Sequence, residues 1–212
     1  MTHSDPQPVR IRSLGLVDYA TTLASMSDFT DRRDAGTPDE IWLLEHPPVY
    51  TLGLNADRAH LLAPGDVPIV QVDRGGQVTY HGPGQLIVYT LLDLKRARLG
   101  IRELVSGLEN AVIALLADRG IEAVARRDAP GVYVDGAKLA SVGLRIRRNC
   151  SYHGLSVNIA MDLEPFGQIN PCGYADLPIT QLSALDNSAD IASVQSALLE
   201  KLLGELGRSG QA

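Results

Sequence analysis

Apolar positions along this chain recur at two spacings, and the changes between them outline its elements. Over 9–13 apolar and basic residues alternate, the period of a strand with one buried face. Leu16, Tyr19, Ala20, Leu23, Ala24 and Met26 then recur at helical spacing and predict a helix over 16–33, ending in the charged run Asp28, Asp31, Arg32, Arg33 and Asp34. Strands are expected at 41–44 and 49–52, on either side of Glu45-His-Pro-Pro48, whose prolines cannot donate to a ladder. A short helix over 56–62 stops at Pro64-Gly65, and strands follow at 69–72 and 86–92. The clearest helix covers 101–119: Leu104, Val105, Leu108, Val112, Leu115 and Leu116 share one face, and Gly120 closes it. Beyond it, strands at 131–134 and 138–147 flank Asp135-Gly136, the dipeptide of a tight hairpin. A turn at Asn149 leads into an alternating strand over 150–159, and 190–206 is a last amphipathic helix.

Strands separated by turns, with helices at the start, middle and end, predict an α+β fold: a mixed, largely antiparallel sheet flanked by helices. A chain of 212 residues supports one substantial core, and the expected domain is 9–207 with flexible tails at 1–8 and 208–212. The net charge of −6 argues against general nucleic-acid binding. No basic segment followed by an apolar run opens the chain, and no apolar stretch approaches the roughly 18 residues that span a bilayer. A cytoplasmic protein is expected. There, Cys150 and Cys172 are expected as free thiols, and with His153 they form no zinc spacing.

Candidate chemistry begins at Arg74-Gly-Gly-Gln-Val-Thr-Tyr-His-Gly-Pro-Gly-Gln85, four glycines and a proline in twelve residues. Gly82-Pro-Gly84 fails the dinucleotide fingerprint, because position 87 is Ile and a strand follows. No phosphate-binding Gly-x-x-x-x-Gly-Lys-Ser/Thr run occurs. The block therefore reads as a ligand loop, with backbone N–H groups and Thr79, Tyr80 and His81 lining a pocket; the competing reading is a hairpin without a ligand. Cys172, between Pro171 and Gly173, is expected on a tight loop with its sulfur projecting. Lys138 stands among uncharged neighbours, where lost hydration favours a neutral amine able to accept a thiol proton. His81 and His153 are rival bases; His153 alternates with Leu155 and Val157 and is expected on their face. His46 and His60 receive no role. Arg145, Arg147 and Arg148, with Arg126 and Arg127 upstream, form a basic cluster: a solvated strand face, or a docking patch for an acidic partner.

Taken in order, the 74–85 block, Gly131-Val-Tyr-Val134, Lys138 with Ser141-Val-Gly143, His153-Gly-Leu-Ser-Val-Asn158 and Asn170-Pro-Cys-Gly173 resemble the octanoyltransferases of lipoate biosynthesis. Glu45-His-Pro-Pro-Val-Tyr-Thr-Leu-Gly53 fits as well, and the resemblance runs from about residue 9 to 185. It implies a biotin/lipoate protein ligase-like fold and no cofactor. The implied donor is octanoyl-acyl carrier protein; the implied acceptors are lipoyl domains of 2-oxoacid dehydrogenase complexes and the glycine cleavage H protein. By position, Cys172 would carry the acyl group as a thioester and Lys138 would act as its acid and base. Arg74, Gly75, Gly76, Gln77, Val78, Thr79, Tyr80, His81, Ser141, Val142, Gly143, Gly154, Leu155 and Ser156 would contact substrate. The alternatives are an ATP-dependent lipoate or biotin ligase, and a non-catalytic binder of acyl chains or lipoyl domains.

Overall fold

The computed structural model describes residues 8–211. Its strands are β1 (Val9–Leu16), β2 (Glu40–Glu45), β3 (Val49–Leu52), β4 (Ile69–Gln71), β5 (Val78–His81), β6 (Gln85–Leu91), β7 (Val124–Ala125), β8 (Gly131–Val134), β9 (Ala137–Arg147), β10 (Cys150–Asn158) and β11 (Gly210–Gln211). The α-helices are α1 (Tyr19–Arg32), α2 (Leu94–Ala97), α3 (Ile101–Ala117) and α4 (Ile191–Glu205). Eight strands make one sheet in the order β11-β1-β2-β6-β10-β9-β8-β7, and β4-β3-β5 make a second. In the large sheet β1 runs parallel to β2 and β11, and the remaining pairs are antiparallel.

Strand alternation sorts the core into layers. Ile41, Leu43, Leu86 and Val88 face α3 and α4, whose Leu104, Leu108, Leu115, Leu198 and Leu202 complete that cluster. Trp42, Leu44, Ile87 and Tyr89 face the other way and pack with Met26 of α1. A third cluster beneath the small sheet joins Tyr50, Val78, Tyr80 and Phe166. No helix among the described residues is long and apolar enough to cross a membrane.

Three expectations change. The helix expected from 16 starts at Tyr19, because Asp18 caps it through Thr21 N at 2.8 Å, and β1 continues to Leu16. Residues 78–81, expected as loop, are β5: Val-Thr-Tyr-His alternates, but the glycines on both sides mask it, and the strand pairs with β3 from Val49↔His81 to Leu52↔Val78. The flexible tail expected from 208 does not hold over 208–211. Gly210 and Gln211 pair with Val9 and Arg10, and the side chain of Arg208, itself buried, reaches Asp39 at 2.8 Å, where Arg33 and Arg96 also converge at 2.6 Å each. Residues 1–7 and 212 of the expected tails lie outside the described residues.

Candidate active site

Cys172 sits in a single 3-10 turn, Pro171–Gly173, fastened by Gly173 N to Asn170 O at 3.0 Å and Tyr174 N to Pro171 O at 3.1 Å. Its backbone is left-handed (φ 58°, ψ 15°), a conformation that costs a non-glycine residue roughly 1–2 kcal/mol. Lys138 enters from the start of β9. Its N–H donates to Pro178 O at 2.8 Å, and its carbonyl accepts from Thr180 N at 3.0 Å. Its other backbone neighbour is Tyr133 of β8. With the backbone held on both sides and the side chain buried, Nζ donates to Cys172 Sγ at 3.0 Å. The same Nζ lies 5.4 Å from the centre of the Tyr133 ring. Burial, and then the nearby Cys172, push the Tyr133 phenol above its ordinary range.

Beside this pair opens a cavity of about 360 Å³. Its walls include β6 and β10 on the α1 face of the large sheet (Ile87, Tyr89, Gly154, Ser156), Ser141, Val142 and Gly143 of β9, and the glycine-rich segment 74–77. Leu155, Val78, Thr79 and His81 complete the set predicted from sequence, with one exception. Tyr80 does not line the cavity. The alternation of β5 turns it to the opposite face, where its ring centre lies 5.4 Å from Tyr50 and 5.6 Å from Phe166. Tyr19, Ile101, Val105, Ala129 and Pro130 also line the cavity. They come from elements distant in sequence, and no local pattern marks them.

Arg74 and His81 of the cavity lining join a polar network that continues behind it, and its hydrogen bonds run in one direction. Arg74 Nη2 donates to Thr51 Oγ1 at 2.8 Å, and that hydroxyl faces His81 Nε2 at 3.3 Å. His81 Nδ1 lies 2.7 Å from Gln85 Oε1, which can only accept, so the proton is on Nδ1. Gln85 Nε2 donates to Asn158 Oδ1 at 2.9 Å, and Asn158 Nδ2 to Thr180 O at 2.9 Å, the residue whose N–H holds Lys138. His46 likewise donates from Nδ1 to Val17 O at 2.7 Å and accepts from Tyr89 Oη at 2.8 Å. Burial drives His81 down to about 3 and His46 down to about 4, so both imidazoles are neutral at pH 7.

The two candidate histidine bases are placed differently from Lys138. Both nitrogens of His81 are engaged. His153 pairs with Leu144, and 144 − 138 = 6 residues of β9 separate it from Lys138, about 20 Å at the strand rise. Nor does it share a face with Leu155 and Val157: its left-handed backbone (φ 60°) turns it against Tyr152 and Tyr89, with ring centres 5.1 and 6.1 Å away. There Nε2 meets Asp73 Oδ1 at 3.1 Å. His60, given no role from sequence, braces the cysteine loop through its carbonyl, which accepts from Asn170 N at 2.9 Å. The arginine cluster is largely paired internally: Arg147 and Arg148 meet Asp31 at 3.2 and 3.7 Å, and Arg145 lies 3.9 Å from Asp73. Cys150 is free, buried and donates to Arg148 O at 3.6 Å. Among the described residues no cluster of three or more His, Cys, Asp or Glu side chains could hold a metal ion.

The fold is that of the lipoate and biotin protein ligases. A lipoate-protein ligase A structure bound with ATP superposes with a TM-score of 0.74 at 14% identity, covering 97% of this chain and 88% of that one. A biotin protein ligase from Aquifex aeolicus superposes with a TM-score of 0.58 at 12% identity, covering 95% and 70%. The lipoyl protein ligase A/B catalytic domain profile matches residues 18–203. A relative from Pseudomonas syringae pv. syringae (strain B728a), named octanoyltransferase, is 56% identical over 201 residues, 95% of this chain and 92% of the relative. The chain belongs to the lipoyl protein ligase A/B catalytic domain family, among its octanoyltransferases.

Proposed function

We propose that this protein moves an octanoyl group from octanoyl-acyl carrier protein to the target lysine of lipoyl domains by way of a thioester on Cys172. The observation that carries this reading is the 3.0 Å contact between Lys138 Nζ and Cys172 Sγ at one end of the cavity. In the first half-reaction the Cys172 thiol gives its proton to Lys138, and the thiolate attacks the donor carbonyl. The tetrahedral adduct collapses, the bond to the carrier's sulfur breaks, and that thiolate takes the proton from Lys138. One thioester replaces another at nearly equal free energy, so the acyl group stays activated without ATP. In the second half-reaction the acceptor lysine, having lost a proton, attacks the Cys172 thioester. Its nitrogen passes a further proton through Lys138 to the departing Cys172 sulfur, leaving an amide and a free thiol. One proton per turnover goes to solvent.

The glycine-rich segments offer backbone N–H groups for the oxyanion, each worth about 3 kcal/mol when aimed at the transition state. Ile87, Val142 and Leu155 supply apolar wall for the acyl chain, whose burial contributes roughly 0.8 kcal/mol per methylene. Chain-length selectivity is therefore graded. In this reading the catalytic domain runs from residue 9 through the β11 pairing at 210–211, the enzyme works in the cytoplasm, and its acceptors are lipoyl domains of 2-oxoacid dehydrogenase complexes and the glycine cleavage H protein.

Steady-state transfer from octanoyl-acyl carrier protein to a purified lipoyl domain tests the reading. Turnover without ATP, with parallel double-reciprocal lines, is the expected result. An absolute ATP requirement with pyrophosphate release, or binding of the donor without turnover, contradicts it.

A further inference from the structure

Behind Lys138 lies a buried carboxylate that the transfer chemistry above does not use. Glu109 of α3 is only 7% exposed, and an acid buried to this degree ordinarily has a charged partner. Among the described residues no basic nitrogen comes within 4.0 Å of it to form a salt bridge. Its Oε1 accepts the Gly131 N–H at 2.8 Å. Gly131 is pressed against the lysine: a Cβ there would meet Lys138 Cε at 2.7 Å and Ala140 O at 2.2 Å. Carboxylate, glycine, lysine and sulfur thus follow one another from α3 to the cysteine loop, and the lysine's own contact to sulfur is 3.0 Å.

We propose that Glu109 is a positioning residue for the acyl transfer, a fixed negative charge behind Lys138 that favours the state in which the lysine holds the proton and Cys172 is a thiolate. The proposal rests on the Cys172–Lys138 reading. Charges in the order minus, plus, minus attract at each adjacent pair, and they are weakly screened where water is excluded. The other groups facing the pair leave this side to Glu109. Tyr133 of β8 presents its ring, the buried Arg74, bound to Thr51 and to Gly75 O, is a positive charge that interacts electrostatically with Cys172, and Asp128 beside Tyr133 is bound by Arg126 at 2.6 Å. Burial raises the Glu109 carboxyl on balance, against the Gly131 N–H and Lys138, which both favour its charged form.

Glu109→Gln separates charge from structure, because its amide oxygen can still accept the Gly131 N–H. In a Cys150→Ser background, where Cys172 is the single thiol, iodoacetamide alkylation is followed against pH for Glu109→Gln, Glu109→Asp, Lys138→Met and the Glu109→Gln/Lys138→Met pair. Glu109→Gln is expected to move the curve up by about one pH unit and to lower kcat about tenfold with KM unchanged. Glu109→Asp, which keeps the charge but shortens the reach, should follow the parent curve more closely even if it melts earlier. Adding Glu109→Gln to Lys138→Met should change nothing further. A Glu109→Gln curve that superposes on the parent's, an equal shift in the Lys138→Met background, or a Glu109→Asp curve displaced as far as a folded Glu109→Gln overturns the proposal. If Lys138→Met itself leaves the curve unmoved, the Cys172–Lys138 reading fails instead, and the two failures are told apart.

Discussion

At the Cys172 end of the cavity the reactive atoms hang on short backbone contacts, with a left-handed nucleophile and one direct side-chain bond, Lys138 to sulfur. At the His81 end every step of a five-bond side-chain chain is engaged, from Arg74 through Thr51, His81, Gln85 and Asn158 to the Thr180 carbonyl. In the proposed mechanism the first end keeps a proton that moves between sulfur and nitrogen. The second fixes each proton on one atom, because every hydrogen bond has an assigned donor. On that reading histidine, the usual acid and base, is the fixed element, and lysine is the one that exchanges a proton. The difference follows from burial together with saturated hydrogen bonding: an imidazole with both nitrogens occupied and little water gains nothing by charging.

The largest effect that would break this contrast lies at the sulfur. Cys172→Ser should lower turnover by about a thousandfold or more, since an alkoxide is far harder to form than a thiolate. Cys150→Ser should change activity little, because Cys150 is buried in β10, its thiol donates to Arg148 O, and it does not line the cavity. Equal losses in steady-state assays of the two variants would contradict a one-thiol mechanism.

Next in size is the pH dependence of stability. His46 and His81 titrate at about 4 and 3 in the fold against 6.5 unfolded, so the unfolded chain alone takes up protons below 6.5. Stability is therefore full above 6.5 and falls as pH drops toward 4, by about 1.4 kcal/mol per pH unit for each histidine. Between pH 7 and 5 the Tm should fall by on the order of 10 °C. A flat melting profile would mean that these imidazoles are not held neutral.

The smallest effect concerns the arginine cluster. Arg147 is half exposed and already shares Asp31 with Arg148. Arg147→Glu should raise the KM for carrier protein less than about fivefold at low salt and not at all at high salt. A large, salt-independent rise would sharpen the comparison differently, by adding the carrier-docking surface to the reactive end.

Local chemistry made the reactive end legible in the sequence. A cysteine between proline and glycine, and a lysine in an uncharged run just past an Asp-Gly turn, are each anomalous against their own immediate neighbours, although 34 residues separate the two. The hairpin itself forms as expected, with Asp135 at φ 49° and Gly136 at φ 81°. The rigid end was less legible because it is assembled from separate elements. Thr51, His81, Gln85 and Asn158 come from β3, β5, β6 and β10, and of the side-chain bonds that link these four only His81 to Gln85 joins residues near in sequence. Side-chain direction also misled where the strand period was hidden or broken: Tyr80 faces away because β5 is a strand, and His153 faces in because one left-handed residue reverses its side. Glu109 carries no mark, since a single acid in an otherwise apolar helix face reads as an ordinary surface position until the packing is known.

The central claim is that sulfur at 172 carries the acyl group between donor and acceptor. Intact-mass measurement of the protein mixed with octanoyl-acyl carrier protein, in the absence of any lipoyl domain, tests it directly. The account predicts a single octanoyl adduct that maps to Cys172, is absent from Cys172→Ser and disappears when a lipoyl domain is added. An unshifted mass in protein that still turns over would contradict it.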